Sequence, residues 1–249
     1  MQKMYEGGNM EIDQLVGRFK VIELLKEHKH SITGVCLHLE LKTKWFIKFV
    51  PTEFEERSEE LSNLLLLDYG SIPKIIDVYK ENEGRYYILE YVQGVTIEEY
   101  MKQYKLSLKS YIDIMLSLTQ TLEHVHCYGV VHGDLKSENI LIGPQNNVYL
   151  IDFGSSFRDR DSKSFTLEMV APERLTDTFL PDERSDLYTL GLIFKSMLYD
   201  YMKVHKFNSI KNLFQVKKLK RLILKCTMVN PNHRIQSAVC VKDALLLIK

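Results

Sequence analysis

The segment from His132 to Asn139 (HGDLKSEN) carries an acid, an amine and an amide at close spacing, and a second acid follows at Asp152. Lys136 lies two residues after Asp134, and Asn139 lies three residues after Lys136. A carboxylate such as Asp134 can orient an attacking hydroxyl and accept its proton, and an ammonium such as Lys136 can neutralise charge on a transferring phosphoryl group. Asn and Asp oxygens are ligands that suit Mg²⁺. The set therefore indicates phosphoryl transfer.

Two short apolar segments predict how Asp152 is brought back to Asn139. Residues 140–142 and 148–151 are apolar and rich in β-branched and aromatic side chains, and residues 143–147 (GPQNN) have the composition of a turn. This pattern predicts a hairpin. It places the Asp152 carboxylate beside the Asn139 amide, with Asp134 and Lys136 close by.

The order and spacing of these residues resemble the catalytic loop and the Asp-Phe-Gly motif of eukaryotic-like serine/threonine protein kinases. Three downstream features extend the resemblance. Ala171-Pro172-Glu173 resembles the motif that closes the activation segment, Asp186 the buried aspartate that braces the catalytic loop, and Arg234 the arginine that pairs with Glu173. The resemblance runs from about Phe19 to the C-terminus. It implies transfer of the γ-phosphate of ATP, with Mg²⁺, to Ser or Thr hydroxyls of a protein substrate.

The overall pattern predicts an α+β chain of two lobes. The 249 residues are 45% hydrophobic and 27% charged, which is typical of a globular protein. A strand-rich first third precedes a helix-rich remainder. We expect an N-terminal arm at residues 1–17, a kinase N-lobe at 18–92 and a C-lobe at 93–249, with the kinase domain itself over about 19–249.

Hydrophobic periodicity gives the individual elements. It predicts strands at 19–25, 34–41, 44–50, 75–79 and 85–91, and helices at 52–67, 97–104, 108–128, 184–199, 216–228 and 237–248.

The resemblance also implies roles for residues of the first lobe. Lys48 matches the lysine that contacts the α- and β-phosphates of ATP, and Glu60 is the expected glutamate partner, with Glu59 as the alternative. Together with Asp134, Lys136, Asn139 and Asp152, these residues form the implied catalytic set, in which Asn139 and Asp152 bind Mg²⁺. Thr166 matches a threonine that hydrogen-bonds the catalytic aspartate and lysine.

The adenine pocket implied by the resemblance draws on residues from both lobes. Leu89 gates its rear, and backbone groups at Glu90 and Val92 bond the base. Val35 lies above the ring and Leu141 beneath it. The residues expected to bind the nucleotide are Leu25, Val35, Lys48, Leu89, Glu90, Val92 and Leu141.

Three positions depart from the family pattern and mark an atypical member. The phosphate-covering segment 25–35 has a single glycine, Gly34, and its lysines and histidines are either phosphate contacts or solvated loop residues. Phe46 stands where a small alanine is usual, so it narrows the expected adenine pocket. Gly133 replaces the arginine that reads a phosphate on the activation segment. Phosphorylation of Ser162, Ser164 or Thr166 is therefore predicted to have little leverage on activity.

Charge and cysteine usage restrict the partners. The formal net charge is zero, so no global field favours nucleic acid, and the apolar runs are too short for membrane insertion. The cysteines at positions 36, 127, 226 and 240 lack the spacing of a zinc site or a disulfide framework, which favours the cytoplasm. No pattern in the sequence indicates an oligomeric state.

Two other functions fit part of the pattern. A pseudokinase scaffold would account for the glycine-poor segment and for Phe46, although the residues that handle metal and proton are all present. A small-molecule phosphotransferase of the aminoglycoside- or choline-kinase kind commonly has His-Gly-Asp, but it generally lacks counterparts of Lys136, Asp186 and Arg234.

Overall fold

A computed structural model describes residues 10–28, 30–55, 60–156, 169–175, 182–205 and 210–249. The chain divides into two compact units, of which the first comprises 1–65 and 73–92 and the second comprises 66–72 and 93–249. Residues 66–72, which the sequence predicts in the N-lobe, cluster with the second unit. The Ser71 carbonyl accepts a hydrogen bond from the Leu150 amide (2.8 Å), and the Tyr69 ring stacks on His124.

The first unit contains a six-stranded antiparallel sheet in the order β1-β2-β3-β4-β6-β5. Its elements are β1 (Leu15–Val16), β2 (Phe19–His28), β3 (Ser31–His38), β4 (Lys44–Pro51), α1 (Thr52–Glu55), β5 (Ile75–Glu81) and β6 (Gly84–Glu90), and α2 (Glu60–Leu66) runs to its boundary. The range predicted as an N-terminal arm includes β1 and the buried Met10.

Strand alternation gives this sheet two distinct faces. One face carries a cluster of buried side chains, here called the outer cluster, whose members are Met10, Val16, Phe19, Val21, Cys36, Ile47, Phe49, Tyr86 and Ile88. Each buried apolar side chain of this size contributes about 1.5–3 kcal/mol to stability. Because Lys48 lies between Ile47 and Phe49 in β4, its side chain lies on the opposite face. This second face, called the Lys48 face, carries the candidate nucleotide contacts.

The second unit is mostly helical and includes a three-stranded sheet in the order β7-β8-β9. Its elements are β7 (Val95–Thr96), α3 (Ile97–Gln103), α4 (Leu108–Cys127), β8 (Ile140–Ile142), β9 (Val148–Leu150), α5 (Glu183–Val204), α6 (Ile210–Cys226) and α7 (Ala238–Leu246), with short 3-10 turns at Ser137–Asn139, Pro144–Asn146, Pro172–Leu175 and Pro231–His233.

Helix starts in this unit are fixed by side-chain caps. Thr96 and Glu99 form a reciprocal capping box at α3, and the side chains of Ser107, Asp182 and Ser237 accept backbone amides at α4, α5 and α7. Such caps satisfy amides that would otherwise lack partners, at about 1 kcal/mol each. The cap at Asp182 sets the first turn of α5, and this turn carries Asp186.

The α+β fold class predicted from the sequence is confirmed, while several element bounds differ. The predicted helix 52–67 consists of α1 and α2, and the intervening residues 56–59 lie outside the described part of the chain. Helix α6, predicted from the sequence at 216–228, begins at Ile210. Its N-terminal part carries Ile210, Leu213 and Phe214, which have the spacing of one helix face but are exposed. Within the described residues, no helix is both long and apolar enough to cross a membrane.

Gly34 is required by the packing of the sheet. A Cβ atom at this position would overlap the Glu23 carbonyl oxygen of the neighbouring strand and would lie 3.2 Å from Cε of Met10. Met10 belongs to the outer cluster, so the contact is on the face opposite Lys48. The single glycine of this segment therefore serves the close approach of β2 and β3.

We predict that Gly34→Ala destabilises the protein by about 1–3 kcal/mol, because the obstructing atom is backbone and cannot move cheaply. Gly70→Ala is the matched control, since a Cβ there meets nothing within 4 Å. Urea unfolding of both variants would measure the difference. Equal stability of the two variants would contradict the packing role of Gly34.

Candidate active site

A buried ion pair lies on the Lys48 face of the first unit. Nζ of Lys48 lies 2.6 Å from Oε2 of Glu60, and both residues are 7% exposed. Lys48 comes from the middle of β4 and Glu60 from the first turn of α2. Burying two charges is costly unless they are paired, so the contact fixes α2 against the sheet. The structure thus pairs Lys48 with Glu60, while the alternative, Glu59, lies outside the described residues.

Three apolar side chains form a continuous patch beside Lys48. Val35 pairs with Phe46 across β3 and β4, and Phe46 pairs with Leu89 across β4 and β6. Residues that pair directly across antiparallel strands share a face, and Phe46 and Lys48 are two positions apart on one strand. Val35 and Leu89 are buried and Phe46 is half-buried. A flat apolar base can pack against this patch, and the phenyl ring occupies its centre.

The structure places Leu25 in a different environment from these three residues. A register shift between Leu24 and Lys26 leaves Leu25 unpaired in β2. Its side chain is 46% exposed and lines a groove together with Met10, Ile12 and Ile32. Met10 and Ile32 pack in or against the outer cluster. The register shift interrupts the strand alternation at this point, and the contact of Leu25 with the nucleotide stays a prediction.

The backbone after β6 is available for hydrogen bonding. Residues 91–94, which include Val92, lie outside any strand or helix. The Glu90 amide donates to the Lys74 carbonyl (2.9 Å), and the Glu90 carboxylate accepts from the Lys74 amide (3.1 Å). These bonds anchor the end of β6. The Val92 amide and carbonyl lie outside the hydrogen-bonding ladder of the sheet. A backbone contact to an adenine base would need them to be outside it.

The β2–β3 hairpin places polar side chains on the Lys48 face. Lys26 pairs with Thr33, and Thr33 pairs with Lys48, so the three residues form a row across β2, β3 and β4. At the tip of the hairpin the His30 ring packs edge-on against Phe54 of α1, with 4.3 Å between ring centroids. His30 is therefore held by an aromatic contact, while Lys26 is exposed on the same face as Lys48.

In the second unit, Asp134 is held by two residues of its own loop. Nζ of Lys136 contacts Oδ2 of Asp134. Nδ2 of Asn139 donates to the Asp134 carbonyl (2.9 Å) and more weakly to Oδ2 (3.5 Å). The 3-10 turn Ser137–Asn139 brings the Asn139 amide back towards Asp134. The buried Leu135 anchors the chain between Asp134 and Lys136. The structure thus brings together an acid, an amine and an amide at one point.

The β8–β9 ribbon brings Asp152 to the same place. The Ile151 amide donates to the Asn139 carbonyl (2.9 Å), and an imidazole nitrogen of His132 lies 3.1 Å from the Ile151 carbonyl. Phe153 packs edge-on against the His132 ring at 4.7 Å. Asp152 itself is exposed and has a φ of 63°. Leu141, at the centre of β8, is half-buried between two buried neighbours.

Asn139 and Asp152 have the donor set of a two-residue Mg²⁺ site. The bonds of the Asn139 amide to the Asp134 carbonyl and to Oδ2 of Asp134 both use its nitrogen and do not involve its oxygen. The Asp152 carboxylate is exposed at the ribbon end. Within the described residues no cluster of three or more His, Cys, Asp or Glu side chains could hold a metal ion. Magnesium commonly takes one or two protein oxygens and completes its shell with phosphate and water, so the pair fits it.

The Asp186 carboxylate braces the loop from beneath. Oδ2 accepts the His132 amide (2.8 Å) and Oδ1 the Gly133 amide (3.0 Å), while an imidazole nitrogen of His126 lies 2.9 Å from Oδ2. Burial alone would raise the pKa of Asp186. The hydrogen bond and charge of His126, the charge of His132 and the Gly133 amide outweigh burial, so the pKa lies below its ordinary value.

A second buried ion pair fastens the end of the activation segment. Both guanidinium nitrogens of Arg234 bond the Glu173 carboxylate, at 2.6 and 2.9 Å, and the Ser185 hydroxyl adds a bond of 3.0 Å. Burial would raise the pKa of Glu173, but the bonds from Arg234 and Ser185 lower it. Thr166, Ser162 and Ser164 lie outside the described residues.

Two polar residues of the site were not identified from the sequence. His126 contacts Asp186 from the last turn of α4, and Arg174 donates to the Gly133 carbonyl from the 3-10 turn Pro172–Leu175. A lone histidine on a helix gives no signal in spacing. Arg174 directly follows Glu173, but its partner lies 41 residues upstream. Only the folded chain brings these groups together.

Comparison with known proteins identifies the family. The family model described as "Protein kinase domain" matches residues 30–246. The chain belongs to the protein kinase domain family.

The similar curated proteins are named as ribosomal protein S6 kinases. The chain is 28% identical over 194 residues to "Ribosomal protein S6 kinase alpha-2" of Homo sapiens, covering 72% of this chain and 26% of that protein. It is 30% identical over 186 residues to "Ribosomal protein S6 kinase alpha-6" of Danio rerio, covering 69% and 25%. For "Ribosomal protein S6 kinase 2 beta" of Xenopus laevis the figures are 29%, 74% and 31%. The matched region thus spans about a quarter to a third of each relative.

We predict that Glu173→Gln lowers the free energy of unfolding by about 3–5 kcal/mol at pH 7, because the Arg234 guanidinium is left buried without its counter-charge. The pKa of Glu173 is below its ordinary value of 4.5 in the folded state. Its contribution is therefore fully present above that value and is lost as the pH falls through the folded pKa. Urea titrations at neutral and at acid pH would measure both effects.

Glu123→Gln is the control for this prediction. Glu123 contacts Lys242 at 2.6 Å, but both side chains are partly exposed. We expect the unfolding midpoint of this variant to stay close to that of the wild type. A gap between Glu173→Gln and wild type that does not narrow in acid would contradict the assignment of the effect to the Glu173 charge.

Proposed function

We propose that this chain is an ATP-dependent kinase that transfers the γ-phosphate of ATP to Ser and Thr hydroxyls of proteins. The observation that carries the proposal is the contact of Asp134 with both Lys136 and Asn139 within one loop. This contact places a proton acceptor, a cation and an amide oxygen around one point, which is the arrangement that phosphoryl transfer requires. Membership of the protein kinase domain family supports the same reaction.

Each residue of the second unit has a chemical role in this proposal. The Asp134 carboxylate orients the acceptor hydroxyl and accepts its proton. The Lys136 ammonium, which lies against that carboxylate, stabilises negative charge on the transferring phosphoryl group. Asn139 and Asp152 would hold Mg²⁺, which would neutralise charge on the phosphate oxygens. Catalysis is then mainly positioning and electrostatic stabilisation.

Residues of the first unit bind the nucleotide. Lys48, whose ammonium is held by Glu60, contacts the α- and β-phosphates. Val35, Phe46 and Leu89 pack against the adenine, and backbone groups of Glu90 and Val92 bond it. Because the phenyl ring of Phe46 takes space on this face, we propose a smaller base pocket than an alanine would leave.

Protein hydroxyls are the proposed acceptors. The relatives are kinases whose names give a ribosomal protein as substrate, and the match covers about a quarter of their length. Protein kinases typically have counterparts of Lys136, of the buried Asp186 and of the Glu173–Arg234 ion pair. Small-molecule phosphotransferases generally lack them. Their geometry here favours a protein substrate. A small alcohol is the alternative acceptor that substrate assays must exclude.

The cytoplasm is the proposed location. All four cysteines carry unpaired thiols, and those of Cys127 and Cys240 are exposed. Exposed thiols persist most readily where the surroundings are reducing. Fractionation of cells that express the full-length protein would test this.

We predict that Asp134→Asn lowers kcat by about 10²–10⁴-fold, because the amide cannot accept the hydroxyl proton. Lys48→Ala should lower kcat/KM for ATP by about 10²-fold or more, because the phosphates lose a fixed cation. Transfer of labelled phosphate from ATP to a generic protein substrate measures both. Asp243→Asn and Lys44→Ala change exposed residues and serve as controls. Unchanged transfer in both site variants would refute the proposed function.

The same assay separates a kinase from a pseudokinase scaffold. Phe46 and the glycine-poor hairpin are the observations that favour the scaffold. A scaffold would bind Mg-ATP, seen as a rise in Tm, without transferring phosphate to any protein. An active wild type excludes it.

We further predict that Lys26→Ala raises KM for ATP about 2- to 5-fold with little change in kcat. Lys26 lies in the same row as Thr33 and Lys48, so its ammonium can contact phosphate where glycine amides are missing. The effect is small because the contact is exposed, and exposed ion pairs contribute less than about 1 kcal/mol. Lys80→Ala, an exposed lysine of β5, is the control. A KM equal to that of the control would leave Lys26 as a solvated residue.

A further inference from the structure

Gly133 leaves the catalytic loop without the arginine that the family usually carries at this position. Its φ is +79°, a conformation that glycine adopts easily and that strains other residues. Its amide donates to Asp186, and its carbonyl accepts a hydrogen bond from a different residue. At this position the loop therefore offers the Gly133 carbonyl as a hydrogen-bond acceptor and has no guanidinium of its own.

Arg174 supplies a guanidinium to this acceptor from another part of the chain. Nη1 of Arg174 donates to the Gly133 carbonyl. The side chain is half-buried, and the nearby carboxylates of Asp186, Asp134 and Glu173 all favour its charge. Burial lowers the pKa of Arg174, but arginine remains protonated in proteins at any physiological pH.

The support of Arg174 is rigid. It lies in the 3-10 turn Pro172–Leu175, where its amide bonds the Ala171 carbonyl at 2.9 Å. The preceding residue, Glu173, is fixed by two bonds from the buried Arg234. A guanidinium on such a support has little freedom to leave Gly133, so the contact persists without any added group.

We propose that Arg174 is a positioning residue that holds the catalytic loop, and with it Asp134, in its working geometry. The proposal rests on the proposed kinase function. In the usual arrangement the loop carries the positive charge and the activation segment carries a phosphate. Here the positive charge comes from the end of the activation segment, and the loop provides a carbonyl and carboxylates. The positive and negative partners have exchanged places, so the contact between the loop and the segment forms without a phosphate.

The test compares Arg174→Ala, Arg174→Lys and the control Arg184→Ala, all in the full chain. Arg184 is an arginine of the same unit whose side chain binds Asp182, away from the loop. We expect Arg174→Ala to lower kcat about 10- to 100-fold with KM for ATP nearly unchanged, because a misplaced catalytic group costs rate rather than nucleotide affinity. Arg174→Lys should recover part of kcat, because an ammonium restores the charge but not the planar fork.

Two further measurements distinguish positioning from general structural support. Added millimolar guanidinium should raise kcat of Arg174→Ala and leave Arg184→Ala unchanged, since it refills only the site left beside Gly133. Phosphatase treatment of the wild type should leave kcat unchanged. A full kcat in Arg174→Ala, no rescue by guanidinium, or a large fall after phosphatase would each overturn the proposal.

Amide hydrogen exchange of residues 132–136 provides a readout that does not depend on activity. Exchange should quicken in Arg174→Ala and not in Arg184→Ala, because only the first variant releases the loop. An inactive wild type with this exchange pattern would reject the kinase function and keep the loop contact. An active wild type without it would reject the role of Arg174 and keep the kinase function.

Discussion

The burial of one carboxylate, that of Asp186, is the constraint on which the second unit depends. It accepts two consecutive backbone amides of the catalytic loop and a third contact from His126. A buried anion with three partners has few alternative positions, since losing any partner would leave charge unsatisfied. It thus fixes the path of the chain immediately before Asp134. The side chains of Lys136 and Asn139 then need only local geometry to converge on that residue.

Two other buried ion pairs, one in each unit, have a comparable role. Lys48–Glu60 joins a strand to a helix, and Glu173–Arg234 joins a 3-10 turn to a distant loop. Buried pairs are weak sources of net stability, because desolvation offsets much of their attraction. Their geometry is nevertheless strictly constrained, because displacing one partner leaves the other charge buried without a counter-charge. We infer that they select one arrangement of the chain among several of similar apolar burial.

The sequence predicted the parts of this site that depend on local order. The family resemblance supplied two long-range contacts, those of Asp186 with the loop and of Glu173 with Arg234, and the contacts of Arg174 and His126 were missed. The loop from His132 to Asn139 and the return of Asp152 follow from spacing and one hairpin, and the structure brings these residues together. Leu25 lies at a register shift in β2 that composition does not reveal, so its contact with the nucleotide stays a prediction. Arg174 and His126 were missed because their partners lie 41 and 60 residues away. Pairing across such distances is decided by packing, which no local pattern encodes.

The phenyl ring of Phe46 has a consequence for chemical selectivity. It lies between Val35 and Leu89 on the Lys48 face, where an alanine would leave more space against the proposed base. Inhibitors that gain affinity by extending a bulky group into that space would meet the ring and bind poorly. Small flat heterocycles that stack on the ring and bond the backbone near Val92 would be tolerated. The same side chain that narrows the pocket would therefore distinguish this chain from protein kinases with alanine at this position.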